Sequence, residues 1–357
     1  MNRYDIYGEI PTFLEDYINT PPMQHLAGVS NACGADFFNF FPTGEYADVL
    51  SHSIGCALIV WQHTGDKVQT LAGLFHDIAS PAFKHIVDGL NGDFEKEESI
   101  EDTTEEILVG SPEINELLKR DHIKISEVSD YHIYPIADND SPRLAADRLE
   151  YTLSDLISGM YGNPLPKETA TKIYQDIKVL KNEDDIVELG FTNLEIAEEY
   201  IDLCVKYLWK SYFSPENKIV FGILIDAFRA MFKADELSYE ELFKISEEDV
   251  IERIYHSKVP GLTKFFKDCQ AKEKVFSGEK LPEGKTFRTL SEDPDYFDKI
   301  KPGDILMNSF VGKNRFIDPL VSTKNGAERV SNLSKKSAEL ISRQKHFSQA
   351  KYDWIIM

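Results

Sequence analysis

Apolar residues recur every three or four positions from about residue 46 to about residue 210, and that period commits most of the chain to helices packed on one another. Ala47, Leu50, Ile54, Ala57, Leu58 and Trp61 form one stripe, and Val68, Leu71, Leu74, Phe75 and Ile78 form the next, which stops before Pro81. A further helix is expected over about 142–160, with Ser141 as N-cap and Pro142 at the first helical position. Others are expected over 193–211 and 220–232, and the SYEE run at 238–241 reads as a capping box that opens one more. Before residue 46, aromatic residues mix with Pro and Gly, as in irregular chain wrapped on a core, with one short helix near 13–19. After 257, turn residues alternate with short β-like runs, and a polar Lys- and Ser-rich helix closes the chain. The expected fold is all-α in the main, a helical bundle with a small mixed α+β C-terminal region. The expected division is a helical domain with its wrapping segment over 1–212, a helical extension over 213–257 and the mixed region over 258–357.

With 357 residues and 42% hydrophobic content, the chain is long enough to bury a full core. Its 61 acidic against 39 basic residues give a formal net charge of −22, a field that repels a nucleic-acid polymer or an anionic membrane surface. Small anions are not excluded, because a metal and a few Lys or Arg override the field locally. The four cysteines, Cys33, Cys56, Cys204 and Cys269, show no paired spacing and read as free thiols. No apolar run approaches the roughly 20 residues of a membrane span, and the N-terminus shows no signal-peptide pattern, so a cytoplasmic location is expected.

The chemistry concentrates in a few helical positions. His76 and Asp77 are adjacent at the end of an apolar helix, LAGLFHDIASP. His52 lies 24 residues earlier within SHSIG, and Asp147 lies 70 residues after Asp77 within AADRLEYTLSD, both on expected helices. Two imidazoles and two carboxylates projecting from three helices form a metal site of intermediate hardness, suited to Mn, Fe, Co, Ni, Zn or Mg. Such a metal polarises a phosphoryl oxygen and activates water. Tyr151 and Asp155 follow Asp147 at i+4 and i+8, on the same helix face. Taken singly, several of these residues have plainer readings: His52 and Tyr151 as core side chains, Asp147 as a surface carboxylate.

In order and spacing, YDIYGEI, NTPPMQHLAGV, VLSHSIG, FHDIASPAFKH and AADRLEYTLSD resemble the HD-domain superfamily of metal-dependent phosphohydrolases, and particularly its deoxynucleoside triphosphate triphosphohydrolase branch. The resemblance runs from about residue 4 to 155, with a weaker echo to about 255. It implies His52, His76, Asp77 and Asp147 as ligands of one divalent metal. It implies His85 in catalysis, Gln24, Tyr151 and Asp155 as residues that read the nucleoside, and Arg148 in the place of a family Lys. Asp77 and Glu97 are the further catalytic candidates, Glu97 as a replacement proton donor. The chain departs from the family at Val49, where an Arg is usual, at Ser80 for a His and at His25 for an Arg. The family's later His-Glu pair falls near 95–101, where Lys96 and a run of Glu stand. The resemblance therefore implies a phosphohydrolase acting on a nucleotide or related small phosphate compound, in a homo-oligomer. Two alternatives stay open: a catalytically degenerate nucleotide-binding or regulatory module, and a diiron HD oxygenase taking added ligands from His85, His122 or His132.

Overall fold

A computed structural model describes residues 3–41, 46–95, 99–100, 103–159, 164–208, 214–290, 296–313 and 315–357. The centre of the molecule is α3 (Val49–Thr64), preceded by α1 (Thr12–Ile18) and α2 (Pro21–His25). Asp48 starts α3 by accepting a hydrogen bond from the Ser51 amide at 2.6 Å, and Gly65, with φ of 64°, ends it. From Ile54 to Val60 every residue of α3 is buried, as expected of a helix enclosed on all sides. Asp66 caps the next helix, α4 (Lys67–Phe75), which packs against α3. The third element of the central group is α8 (Ala146–Ser158), after α5 (His85–Leu90), α6 (Thr104–Gly110) and α7 (Pro112–Arg120).

The remaining helices are α9 (Lys167–Gln175), α10 (Leu194–Leu203) continued by a π-turn over Cys204–Leu208, α11 (Pro215–Lys233), α12 (Glu247–Tyr255), α13 (Leu262–Gln270), α14 (Val330–Leu333) and α15 (Lys335–Lys345). One apolar core surrounds α3, α4, α8 and α10. A second surrounds α5, α11, α12 and α13. Among the described residues, no helix is long and apolar enough to cross a membrane.

The mainly helical expectation holds, but sheet is not confined to a small C-terminal region. Strands β1 (Ile177–Lys181) and β2 (Val187–Phe191) form a hairpin in the stretch read as helical. They join β6 (Leu320–Thr323) and β7 (Gly326–Arg329) in the order β1-β2-β6-β7. A second sheet, ordered β3-β8-β5-β4, uses β3 (Phe276–Gly278), β4 (Phe287–Thr289), β5 (Ile305–Asn308) and β8 (Tyr352–Ile356). The last element is a strand rather than the Lys- and Ser-rich helix: β8 lies between β3 and β5, with Asp353, Trp354 and Ile355 buried.

Two helix starts also differ from expectation. Ser141 does not cap α8; its hydroxyl donates to the Phe316 carbonyl at 2.8 Å, and Leu144 bridges to Leu189 of β2. The helix begins only at Ala146, with the Ala146 and Asp147 amides donating to the Ile136 and Ala137 carbonyls. The Ser238 and Glu241 side chains do bond reciprocally, but they open a single 3-10 turn, and the long helix waits for a second box at Ser246 and Asp249. The N-terminal segment is more helical than irregular, and it buries Tyr7, Leu14, Tyr17, Met23 and Leu26 in the first core.

Candidate metal centre

The second turn of α3, the end of α4 and the first turn of α8 bring four side chains to one point. His52 Nε2 lies 3.1 Å from His76 Nε2 and 3.1 Å from Asp147 Oδ1. Asp77 Oδ2 stands 3.7 Å from His52 Nε2 and 3.6 Å from His76 Nε2, and His76 Nε2 is 3.7 Å from Asp147 Oδ1. Both imidazoles are aimed by the nitrogen that faces away. His52 Nδ1 is bound to the carboxylate of Glu150, and His76 Nδ1 donates to the Gly73 carbonyl at 2.8 Å. This holds both Nε2 atoms toward the centre as the lone-pair donors a cation needs. The packing leaves no slack: a Cβ on Gly55 would meet Glu150 Cγ at 2.6 Å, so the small residue in SHSIG makes room for the orienting carboxylate.

The electrostatics fit a cation here. Burial opposes the charge on Asp77, but Lys84, His76 and His52 hold its carboxyl well below the usual carboxylate range. Burial likewise opposes ionisation of Asp147, and the two histidines outweigh it. Burial works against protonated His52 and His76, yet the neighbouring acidic groups raise both above the usual imidazole range. Carboxylates packed this closely call for positive charge, and the two-imidazole, two-carboxylate donor set suits a divalent metal of intermediate hardness. Cys56 is also near, but its Sγ is 3.7 Å from both His52 ring nitrogens, so it lies over the ring face and not in the plane of the Nε2 lone pair. Burial pushes its thiol up to about 12. Among the described residues, the only group of three or more His, Cys, Asp or Glu side chains with ligand atoms all within 4.8 Å of one another is His52, Cys56, His76 and Asp147, and Asp77 stands beside it.

The centre lies in a cavity of about 240 Å³. Asp147, Arg148, Tyr151 and Asp155 all line it, so successive turns of α8 face one space. His85 lines it too, with Nδ1 held at 3.0 Å by Asp88, a fully buried carboxylate that also accepts from Ser99 Oγ at 2.6 Å. Arg148 is fixed by the Arg143 carbonyl at 2.8 Å and the Asn139 side-chain oxygen at 2.6 Å. Burial raises the Tyr151 hydroxyl to about 12, keeping it protonated as a donor. Gln24 is exposed on α2, donates to the Ile18 carbonyl at 2.9 Å and does not line the cavity. Glu97, with Lys96 and Glu98, lies outside the described residues. His132 lines the cavity mouth, stacked on Tyr131 at 4.1 Å between ring centres, whereas His122 is not among the lining residues.

Sequence reasoning missed several lining residues. Lys84 places Nζ 2.7 Å from Asp77 Oδ2 and 3.3 Å from Asn31 Oδ1, from a turn in which Phe83 and Lys84 both take positive φ, 67° and 39°. Two consecutive non-glycine residues in that region cost about 1–3 kcal/mol each and persist only when the surroundings enforce them. The only sequence signal for Lys84 was its place beside His85. Glu150 was legible at i+3 from Asp147, one turn along the same face. Lys313 and Arg315, in GKNR, line the cavity with Phe310 and Phe316, and Phe310 stacks on Phe94 at 4.3 Å. The cavity therefore gathers cations that the family positions now held by Val49 and His25 do not supply; Val49 is fully buried in the core.

No family model matches the chain. In sequence the chain is similar to a metal-dependent phosphohydrolase, and in fold to a phosphohydrolase of known structure. It is 29% identical over 250 residues to the uncharacterized protein YdhJ of Bacillus subtilis, covering 68% of this chain and 72% of that protein. It is 25% identical over 179 residues to the metal-dependent phosphohydrolase cns2 of Cordyceps militaris, covering 49% of this chain and only 50% of the fungal protein. A crystal structure of a phosphohydrolase from Bacteroides thetaiotaomicron superposes with a TM-score of 0.66 at 13% identity, over 100% of this chain and 98% of that one. A hypothetical protein from Aquifex aeolicus gives 0.59 at 17% identity, over 98% and 93%. At such identities the solved structures establish the fold alone.

Proposed function

We propose that this chain is a metal-dependent phosphohydrolase acting on a nucleotide or similar small phosphate compound. The observation that carries the reading is the convergence of His52, His76, Asp77 and Asp147 in a cavity also lined by Lys84, Arg148, Lys313 and Arg315. A divalent metal held by the four ligands supplies Lewis-acid polarisation of a phosphoryl oxygen and a lowered pKa for water. Lys84 balances the charge of Asp77, and Lys313 and Arg315 hold the phosphate against a chain of net charge −22. His85, oriented by Asp88 through Nδ1, keeps Nε2 for proton transfer with the substrate. Tyr151 and Asp155 offer a hydroxyl and a carboxylate to sugar hydroxyls, and the Phe94–Phe310 stack offers an aromatic face for a base.

The test is metal analysis of the purified protein with a phosphate-release screen over nucleoside mono-, di- and triphosphates and simple esters, in Mn, Mg, Co and Ni. The expected result is one metal per chain and phosphate release from a nucleotide, both lost in His76→Ala and Asp77→Ala. Bound metal with no release from any compound would sink the hydrolase and leave the degenerate binding module. Two irons with an oxygen-dependent product would point to the oxygenase, although His85 bonds to Asp88 and stands outside the ligand group.

A further inference from the structure

A second cavity, of about 810 Å³, is lined by Asp36, Asp48, Glu247, Glu248 and Glu273, and among the described residues no Lys, Arg or His lines it. The aromatic rings of Phe38, Phe41 and Tyr46 complete its wall. Asp36, Glu248 and Glu273 are exposed, whereas Glu247 is only 2% exposed. Glu247 Oε1 accepts from the Ser30 amide at 3.1 Å and from the Phe83 amide at 2.9 Å, but its Oε2 meets no donor among the described residues. Buried carboxylate oxygens are ordinarily hydrogen-bonded, and an unpaired one carries a desolvation penalty. Burial, and then the charge of Asp36, push the Glu247 carboxyl well above the usual range, a sign that the cavity lacks positive charge.

The shape decides which cation fits. Among the described residues, the only group of three or more His, Cys, Asp or Glu whose ligand atoms lie within 4.8 Å of one another is the one containing His52, His76 and Asp147. The acidic groups here are too dispersed for three of them to chelate one metal ion. Spaced carboxylates in a roomy cavity with aromatic walls match an elongated organic cation, whose ammonium groups pair with separate carboxylates and pack on the rings. We propose that this cavity is a binding site for an aliphatic polyamine, and that its occupancy is coupled to the metal centre.

The coupling runs through hydrogen bonds and the short backbone stretches that join them. Glu247 holds the Phe83 amide in the left-handed turn that sets Lys84 on Asp77, and it holds Ser30, the neighbour of the Asn31 side chain that Lys84 also contacts. Asp48, on the cavity wall, caps the helix that carries His52. A cation drawn to Glu247 and Asp48 therefore acts on elements that position two metal ligands, and by linkage the metal acts back on it.

The site stands apart from the phosphohydrolase reading, so binding is the readout. Spermidine is titrated into the full chain by calorimetry in about 150 mM salt, where the general field of the protein is screened beyond roughly 8 Å. Saturable binding with Kd below about 1 mM is expected. Glu247→Gln, which keeps the acceptor for Ser30 and Phe83, should weaken it about tenfold, the size of one charge-assisted hydrogen bond. Asp36→Asn with Glu248→Gln on the exposed rim tests the same site without touching the core, and should also weaken binding. Glu113→Gln with Glu116→Gln, both exposed on α7, should leave it unchanged. Non-saturable binding, or equal losses in the α7 and rim variants, overturns the site. Magnesium binding that the rim variants abolish, with no spermidine binding, overturns the polyamine in favour of a metal. Manganese affinity of the His52–His76 centre, measured with and without spermidine, should shift severalfold, and an unchanged affinity overturns the coupling.

Discussion

In the first cavity His52 and Asp147 come from helices α3 and α8 and His76 and Asp77 from the turn that ends α4, whereas Phe310, Lys313, Arg315 and Phe316 come from chain outside helix and strand. On the metal side each side chain has a fixed partner: Glu150 for His52, the Gly73 carbonyl for His76, Lys84 for Asp77. Among the residues of the 309–313 and 315–316 chain, Phe310 stacks on Phe94, and Lys313, Arg315 and Phe316 line the same cavity. Helices hold a geometry to a few tenths of an ångström, which ligation needs; loops vary in length and composition, which substrate selection uses. The comparison separates candidate ligands set by helices and a helix-end turn from loop residues that line the same cavity, so contacts on the loop can vary without disturbing the ligand positions.

Substitutions on the two walls should then fail in different ways. The largest effect is expected for His76→Ala and Asp77→Ala, which should lose bound metal and lower phosphate release by more than the roughly 10–100-fold range of outer-shell changes. Metal content and kcat measured on one preparation check this. Glu150→Gln comes next: it leaves all four ligands but loosens His52, so metal affinity should fall about 10–100-fold, read by competition with a chelator. Arg315→Ala and Lys313→Ala should each raise KM about tenfold with kcat and metal content nearly unchanged, the mark of lost ground-state binding. A fall in metal content in either loop variant would break the division between the walls. The smallest effect belongs to Gln24→Ala, which should leave KM unaltered and stability within about 0.5 kcal/mol, because its amide serves the Ile18 carbonyl at the surface. A raised KM there would place α2 in the substrate site after all.

Much of the metal wall was legible because local periodicity fixes it. His52 and the apolar stripe of α3, the HD pair at the end of α4, and the shared face of Asp147, Tyr151 and Asp155 follow from 3.6 residues per turn once the segments are helical. Glu150 was equally accessible by that rule. The start of α8 was not, because Ser141 and Leu144 are drawn to Phe316 and Leu189, partners distant in sequence. The β1-β2 hairpin inside the helical stretch was missed for a related reason: its register is completed by β6, which lies far along the chain.

The sequence by itself determined the helical core, the identity and order of the candidate ligands and the acidic field that disfavours polymeric anions, all of which depend on neighbours within a turn or on summed charge. Only the tertiary structure decided what faces those ligands. Lys84 reaches Asp77 through a turn with positive φ that Glu247 of a remote helix supports, and Lys313 and Arg315 enter the cavity because β5 and β6 anchor the two ends of their loop. Such placements rest on contacts between residues far apart in the chain, whose energies appear only when the whole core closes, so no local pattern announces them.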